Sequence, residues 1–134
     1  MKKVVKAFIE IGKNLDYDIC SDPDAGVSFM LLGQGKTIAE AKQDFFICLE
    51  DMKNSYKEDN VEFPDVEFEF VYDIQSFLKY SPFSLTWMSN ATGINIKQLS
   101  HYTTERKNPS RVTLAKIQNA VNNFVADYSQ VNFL

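Results

Sequence analysis

At 134 residues, 45% of them hydrophobic, the chain is long enough for one domain or two small ones with packed cores. It has no run of about 18 apolar residues, which excludes a membrane-spanning helix. The net charge of −4 would argue against a nucleic-acid partner, but it averages two unlike halves: residues 1–73 carry eight lysines against sixteen acids (−8), and residues 74–134 carry six Lys and Arg against two acids (+4).

Residues 4–11 alternate, with Val5, Ala7, Ile9 and Ile11 on one side and Lys6 and Glu10 on the other, which predicts a half-buried strand. Glu10 interrupts the apolar character too early for a signal peptide, so a cytoplasmic protein is expected. Gly12-Lys13-Asn14 is a turn, and residues 15–20 predict a second strand with Leu15, Tyr17 and Ile19 on one side. So short a connection makes the pair an antiparallel hairpin. Asp22-Pro23-Asp24-Ala25-Gly26 turns the chain again, and the continuously apolar residues 27–32 fit a more central strand. Cys20 and Cys48 form no CxxC and no metal spacing; buried free thiols are expected.

Thr37-Ile38-Ala39-Glu40 reads as a capping box. Behind it Ile38, Ala41, Phe45, Cys48, Leu49, Met52 and Tyr56 recur every three or four residues, predicting a long amphipathic helix over about 37–57. In residues 66–72, Val66, Phe68, Phe70 and Tyr72 point inward, while Glu67, Glu69 and then Asp73 point outward. The order β-β-β-α-β makes a small α+β domain over residues 1–73. Residues 73–80 predict a helix that leads into a second, all-α domain over 74–134 and breaks at Ser81-Pro82.

Residues 85–104 predict a helix-turn-helix. Gly93 lies where the chain must turn sharply, and a residue free to take positive φ belongs there. Met88, Ile94, Leu99 and Tyr102 occupy the positions that pin two crossed helices together, Trp87 can join them, and Asn95 is a good N-cap for the second helix. Leu99 and Tyr102 mark the buried side of that helix, so Ile96, Lys97, Ser100, His101 and Thr104 face out, with no carboxylate among them. A helix entering the major groove needs such a face: hydrogen-bonding groups for base edges and no anions against phosphate. On this reading Lys97, Ser100 and His101 meet base edges, Thr104 borders them, and Ile96 lies near a thymine methyl. Gln98, Arg106, Lys107 and Arg111 hold the DNA backbone. Asn108-Pro109-Ser110 opens a last helix with the stripe Leu114, Ile117, Val121, Phe124 and Tyr128. That helix and the apolar tail Val131-Asn132-Phe133-Leu134 are candidates for a homodimer or higher homo-oligomer contact, which would place two recognition helices one DNA turn apart.

Other chemistry is weaker. Gly33-Gln34-Gly35-Lys36-Thr37 suggests a phosphate loop, but the Walker pattern needs a glycine where Met30 stands. Asp16, Asp18 and Glu10 could crowd on one sheet side as metal ligands of a nuclease; an exposed acidic strand face is the plainer account. The single histidine, His101, has no catalytic partner in the sequence. No enzyme activity, metal or cofactor is expected.

Two features coincide here: Gly35-Lys36-Thr37-Ile38-Ala39-Glu40-Ala41 opening the long helix after three strands, and the Gly93-centred helix-turn-helix near the C-terminal end. Together they resemble the HicB family of antitoxins, in a form with a C-terminal DNA-binding domain. Thr92 to Tyr102, followed by Arg106-Lys107-Asn108-Pro109-Ser110, looks like the Cro/repressor type of helix-turn-helix. One departure is visible: where the family carries a Pro-Asp-Leu-Pro-Gly-like loop, this chain runs Asp24-Ala25-Gly26-Val27-Ser28-Phe29. The resemblance implies a partial RNase H-like N-terminal domain without hydrolase activity, which binds a HicA-type RNA-cleaving toxin. It implies a C-terminal domain that binds an operator in double-stranded DNA. An acidic domain suits a basic, RNA-holding partner. The alternative expectation is a helix-turn-helix regulator whose α+β domain senses a ligand or only oligomerises.

Overall fold

A computed structural model describes residues 2–104 and 108–134. The chain divides into two compact units, Met1–Tyr80 and Ser81–Leu134. The first contains β1 (Lys3–Ile11), β2 (Tyr17–Ser21), β3 (Leu32–Gly35), α1 (Ile38–Glu58), β4 (Val66–Tyr72) and α2 (Ile74–Tyr80). The second contains α3 (Leu85–Thr92), α4 (Ile96–Thr104) and α5 (Arg111–Tyr128). The protein is therefore mixed α+β.

The four strands form one mixed sheet in the order β3-β2-β1-β4. β1 and β2 pair antiparallel, closed by a turn in which the Gly12 amide donates to the Asp16 carbonyl at 2.8 Å. β3 pairs antiparallel with β2, and β4 pairs parallel with β1. A parallel neighbour needs a long crossover, and α1 supplies it between β3 and β4.

The helix α1 begins where the capping residues place it. The Thr37 hydroxyl accepts from the Glu40 amide at 3.0 Å, and the Glu40 carboxylate accepts from the Lys36 amide at 3.0 Å. Its stripe Ala41, Phe45 and Leu49 packs on the inward side chains Ala7, Ile9 and Ile19 of the central strands, with Phe29 and Leu31 completing the core. Phe45 lies edge-on to Phe68 and Phe70, with ring centroids 5.1 and 5.5 Å apart. Gly33 and Gly35 let the helix backbone lie directly on β3: a Cβ at Gly33 would come within 2.4 Å of the Ala41 carbonyl oxygen, and one at Gly35 within 2.5 Å of the Ala41 nitrogen.

Several expectations are corrected. Residues 27–32 are not a central strand: only Leu32 belongs to one, and β3 lies at the sheet edge. The run is apolar throughout because its two sides meet different surroundings. Phe29 and Leu31 enter the core, held where the Ser21 hydroxyl accepts from the Leu31 amide at 2.8 Å, while Met30 and Leu32 face out. Leu15 is not in β2; it takes φ 61° in the turn and is exposed. Tyr72 does lie on the inward side, opposite Ile9, but at the end of an edge strand it is 43% exposed, its ring centroid 4.9 Å from that of Phe77. The helix at 74–80 lies in the first unit, where the Ile11 amide donates to the Ser76 hydroxyl at 3.0 Å. Cys20 and Cys48 are free but only half-buried. On α5, Ile117 and Ala120 are buried, whereas Leu114 and Tyr128, at the ends of the expected stripe, are exposed.

Candidate nucleic-acid interface

The second unit is built around the α3–α4 corner. The Ser84 hydroxyl caps α3 by accepting from the Trp87 amide at 3.0 Å. Gly93 ends the helix at φ 76°, ψ 5°, in the left-handed region where a side chain is disfavoured. Two hydroxyls brace the corner. Ser89 donates to the Ile94 carbonyl at 2.6 Å; Thr92 donates to the Met88 carbonyl at 2.7 Å and accepts from the Ile94 amide at 3.1 Å. The Asn95 side chain then accepts from the Lys97 amide at 2.8 Å and opens α4. Met88, Ile94, Leu99 and Tyr102 are buried between the helices. Trp87 stacks on Phe83 with centroids 4.7 Å apart and meets Phe124 of α5 edge-on.

This packing fixes which side of α4 is wet. At about 100° per residue, Leu99, Tyr102 and Thr103 share one side, and Lys97, Ser100, His101 and Thr104 fall within about 100° of arc opposite them. Lys97, His101 and Thr104 are exposed, Ser100 is half-buried, and Ile96 is 43% exposed at the start of the helix. Gln98, also exposed, donates to the Tyr102 hydroxyl at 2.9 Å. The Thr104 hydroxyl donates to the Ser100 carbonyl at 3.3 Å, within its own helix. Arg111 is exposed at the first turn of α5, next to the Ser110 cap. Arg106 and Lys107 lie outside the described residues. Nine residues make α4 about 13 Å long, comparable to a major groove about 12 Å wide.

The bracing hydroxyls of Ser89 and Thr92 were not read from the sequence. Their available signal is position: each lies within one helical turn of the turning glycine, where free carbonyls need donors. Lys116 is a further exposed cation, but about 140° around α5 from Arg111, so the two do not share a face.

In the glycine loop, two backbone amides that could face a phosphate are engaged by acids. The Gln34 amide donates to the Asp44 carboxylate at 2.9 Å and the Lys36 amide to Glu40. Asp16, Asp18, Gln34, Gly35 and Lys36 line a hollow of about 310 Å³. Among the described residues, no three His, Cys, Asp or Glu side chains gather as a metal site. Glu10 faces Asp18 across the β1–β2 pair; its carboxyl is pushed above the usual range by burial, then by the negative charges of Asp73 and Asp18. Among the described residues, no helix is long and apolar enough to cross a membrane. No protein family, curated protein or solved structure was found to match the chain.

Proposed function

We propose that this protein is a non-enzymatic DNA-binding regulator of the HicB antitoxin kind. The helix α4 reads an operator in double-stranded DNA, and the acidic sheet unit holds a HicA-type, RNA-cleaving toxin. The observation that carries the DNA-binding half is the outer flank of α4: exposed Lys97, His101 and Thr104, with half-buried Ser100 beside them, share one stripe that contains no carboxylate. The charge split supports the toxin-binding half. A protein that cleaves RNA must present cations to phosphate, and a unit with a large excess of acids complements it. Lys97 and His101 meet base edges, and Ile96 lies by a thymine methyl. Arg111, with Arg106 and Lys107, holds phosphates. The protein acts as a homodimer that presents two α4 helices to two half-sites.

The test is a double substitution, Lys97→Ala with His101→Ala. Both side chains are exposed, so the melting temperature should hold. In a mobility-shift assay on the DNA upstream of its own gene, the variant should lose preference for that sequence over a scrambled duplex. Unchanged discrimination by the folded variant removes α4 as the reading element.

A further inference from the structure

The sheet has a second face, turned away from α1. Strand alternation places Phe8, Cys20, Leu32 and Val71 on it, and the registers Phe8↔Cys20, Cys20↔Leu32 and Phe8↔Val71 align them in one row across all four strands. Leu32 is 58% exposed, and Met30, whose sulfur lies 3.7 Å from that of Cys20, is 44% exposed. Phe8, Cys20 and Val71 are half-buried, so the row is most open at its Leu32 and Met30 end. Single exposed apolar side chains are ordinary, but an apolar row that crosses a whole sheet and reaches solvent at one edge suits a contact surface.

Charge surrounds the row on both sides. In the next row toward the β1 end, Glu10 faces Asp18. On the opposite side, Lys6 lies beside Glu69, and Val4, itself 54% exposed, lies beside Glu67. With Asp73, whose charge also acts on Glu10, and Lys36, which shares a hollow with Asp18, the borders hold five carboxylates against two ammoniums. The crowding is already felt within the molecule: burial first, and then the charges of Asp73 and Asp18, disfavour the Glu10 carboxylate.

That pattern selects the occupant. Two copies stacked face to face would set carboxylates against carboxylates on both flanks of the apolar row. Nucleic acid and an anionic lipid surface are repelled by the same groups. A protein surface with an apolar centre ringed by Lys or Arg fills the row and neutralises its borders. We propose that the open face along Leu32, Cys20, Phe8 and Val71 is the docking surface for such a basic protein. The proposal rests on the antitoxin reading for the partner's being the RNA-cleaving toxin, and locates where that partner sits.

The probe is a short amphipathic peptide of lysine and leucine, titrated into the full chain at physiological salt, with a glutamate and leucine peptide as its counterpart. The lysine peptide should bind and protect amides of β2 and β3 from exchange. Leu32→Ser should weaken it about tenfold, the effect of losing the most exposed apolar contact of the row. Glu10→Gln with Asp18→Asn should weaken it and flatten its salt dependence. Ile47→Ser with Glu50→Gln, on the exposed side of α1, should leave it unchanged. Equal loss in the α1 variant, equal binding of the glutamate peptide, or no binding overturns the proposal. A dimer that Leu32→Ser converts to monomer overturns it in favour of a second copy. Operator binding is measured on the same preparations. DNA bound without peptide discards the docking face alone; peptide bound without DNA discards the operator-binding half of the antitoxin reading and leaves the face standing.

Discussion

At the scale of single residues, Glu10 shows how one side chain reports on a surface. Burial, Asp73 and Asp18 all raise its pKa, so the folded chain holds the proton more tightly than the unfolded chain. The sign follows: as pH rises through the interval between the unfolded and folded values, the folded state loses stability, because it must ionise a disfavoured carboxyl. Glu10→Gln is therefore expected to raise the melting temperature at pH 7, and the advantage should vanish as pH falls through the titration of Glu10. The group is mostly solvated, so the gain is no more than about 0.5 kcal/mol. Thermal melts of both proteins across that pH range measure it; a variant less stable at pH 7 shows that Glu10 makes a favourable contact instead.

At the scale of elements, two glycines look alike in the sequence and do different work. Gly93 is required by its backbone angle, since a Cβ there would meet nothing within 4 Å. Gly33 is required by space, because α1 lies on it and the neighbours a Cβ would strike include Ala41 and Phe45 backbone atoms that cannot swing away. Gly93→Ala should cost about 1–2 kcal/mol, the usual penalty of a left-handed residue. Gly33→Ala should cost more, about 3 kcal/mol, as α1 is pushed off the sheet. Urea denaturation followed in each unit separates them; a harmless Gly33→Ala would mean that α1 shifts freely over β3. The helix α4 illustrates a related point. Its spacing fixed which side is apolar, and Leu99 and Tyr102 are indeed buried. The sequence did not reveal that Gln98 and Thr104 have hydrogen-bond partners in their own helix, because a side chain's local partners depend on rotamers rather than on periodicity.

At the scale of the whole molecule, the two units carry opposite charge, and the overall value of −4 describes neither. If phosphates are held by Arg106, Lys107 and Arg111, operator affinity should fall with salt at a logarithmic slope of about −3 per chain. Replacing Arg106 and Lys107 with alanine should reduce that slope by about two and weaken binding to all sequences alike, unlike the α4 variant. A slope near zero in the parent protein would place the duplex elsewhere. The charge split and the α3–α4 corner at Gly93 were both legible in the sequence, because charge is additive along the chain and the corner is set by local residues.

What the sequence determined by itself is what neighbours in the chain decide: the sidedness of β1, the cap and stripe of α1, the turn at Gly93 and the acid-free flank of α4. Each follows from contacts within a few residues, so its periodicity is written out in order. Only the tertiary structure decided which strands are central, that residues 27–32 serve the core on one side and open solvent on the other, and that Phe8, Cys20, Leu32 and Val71 stand in one row. Those depend on pairing between segments far apart in the chain. An apolar run looks the same in sequence whether its second side meets a helix or nothing at all.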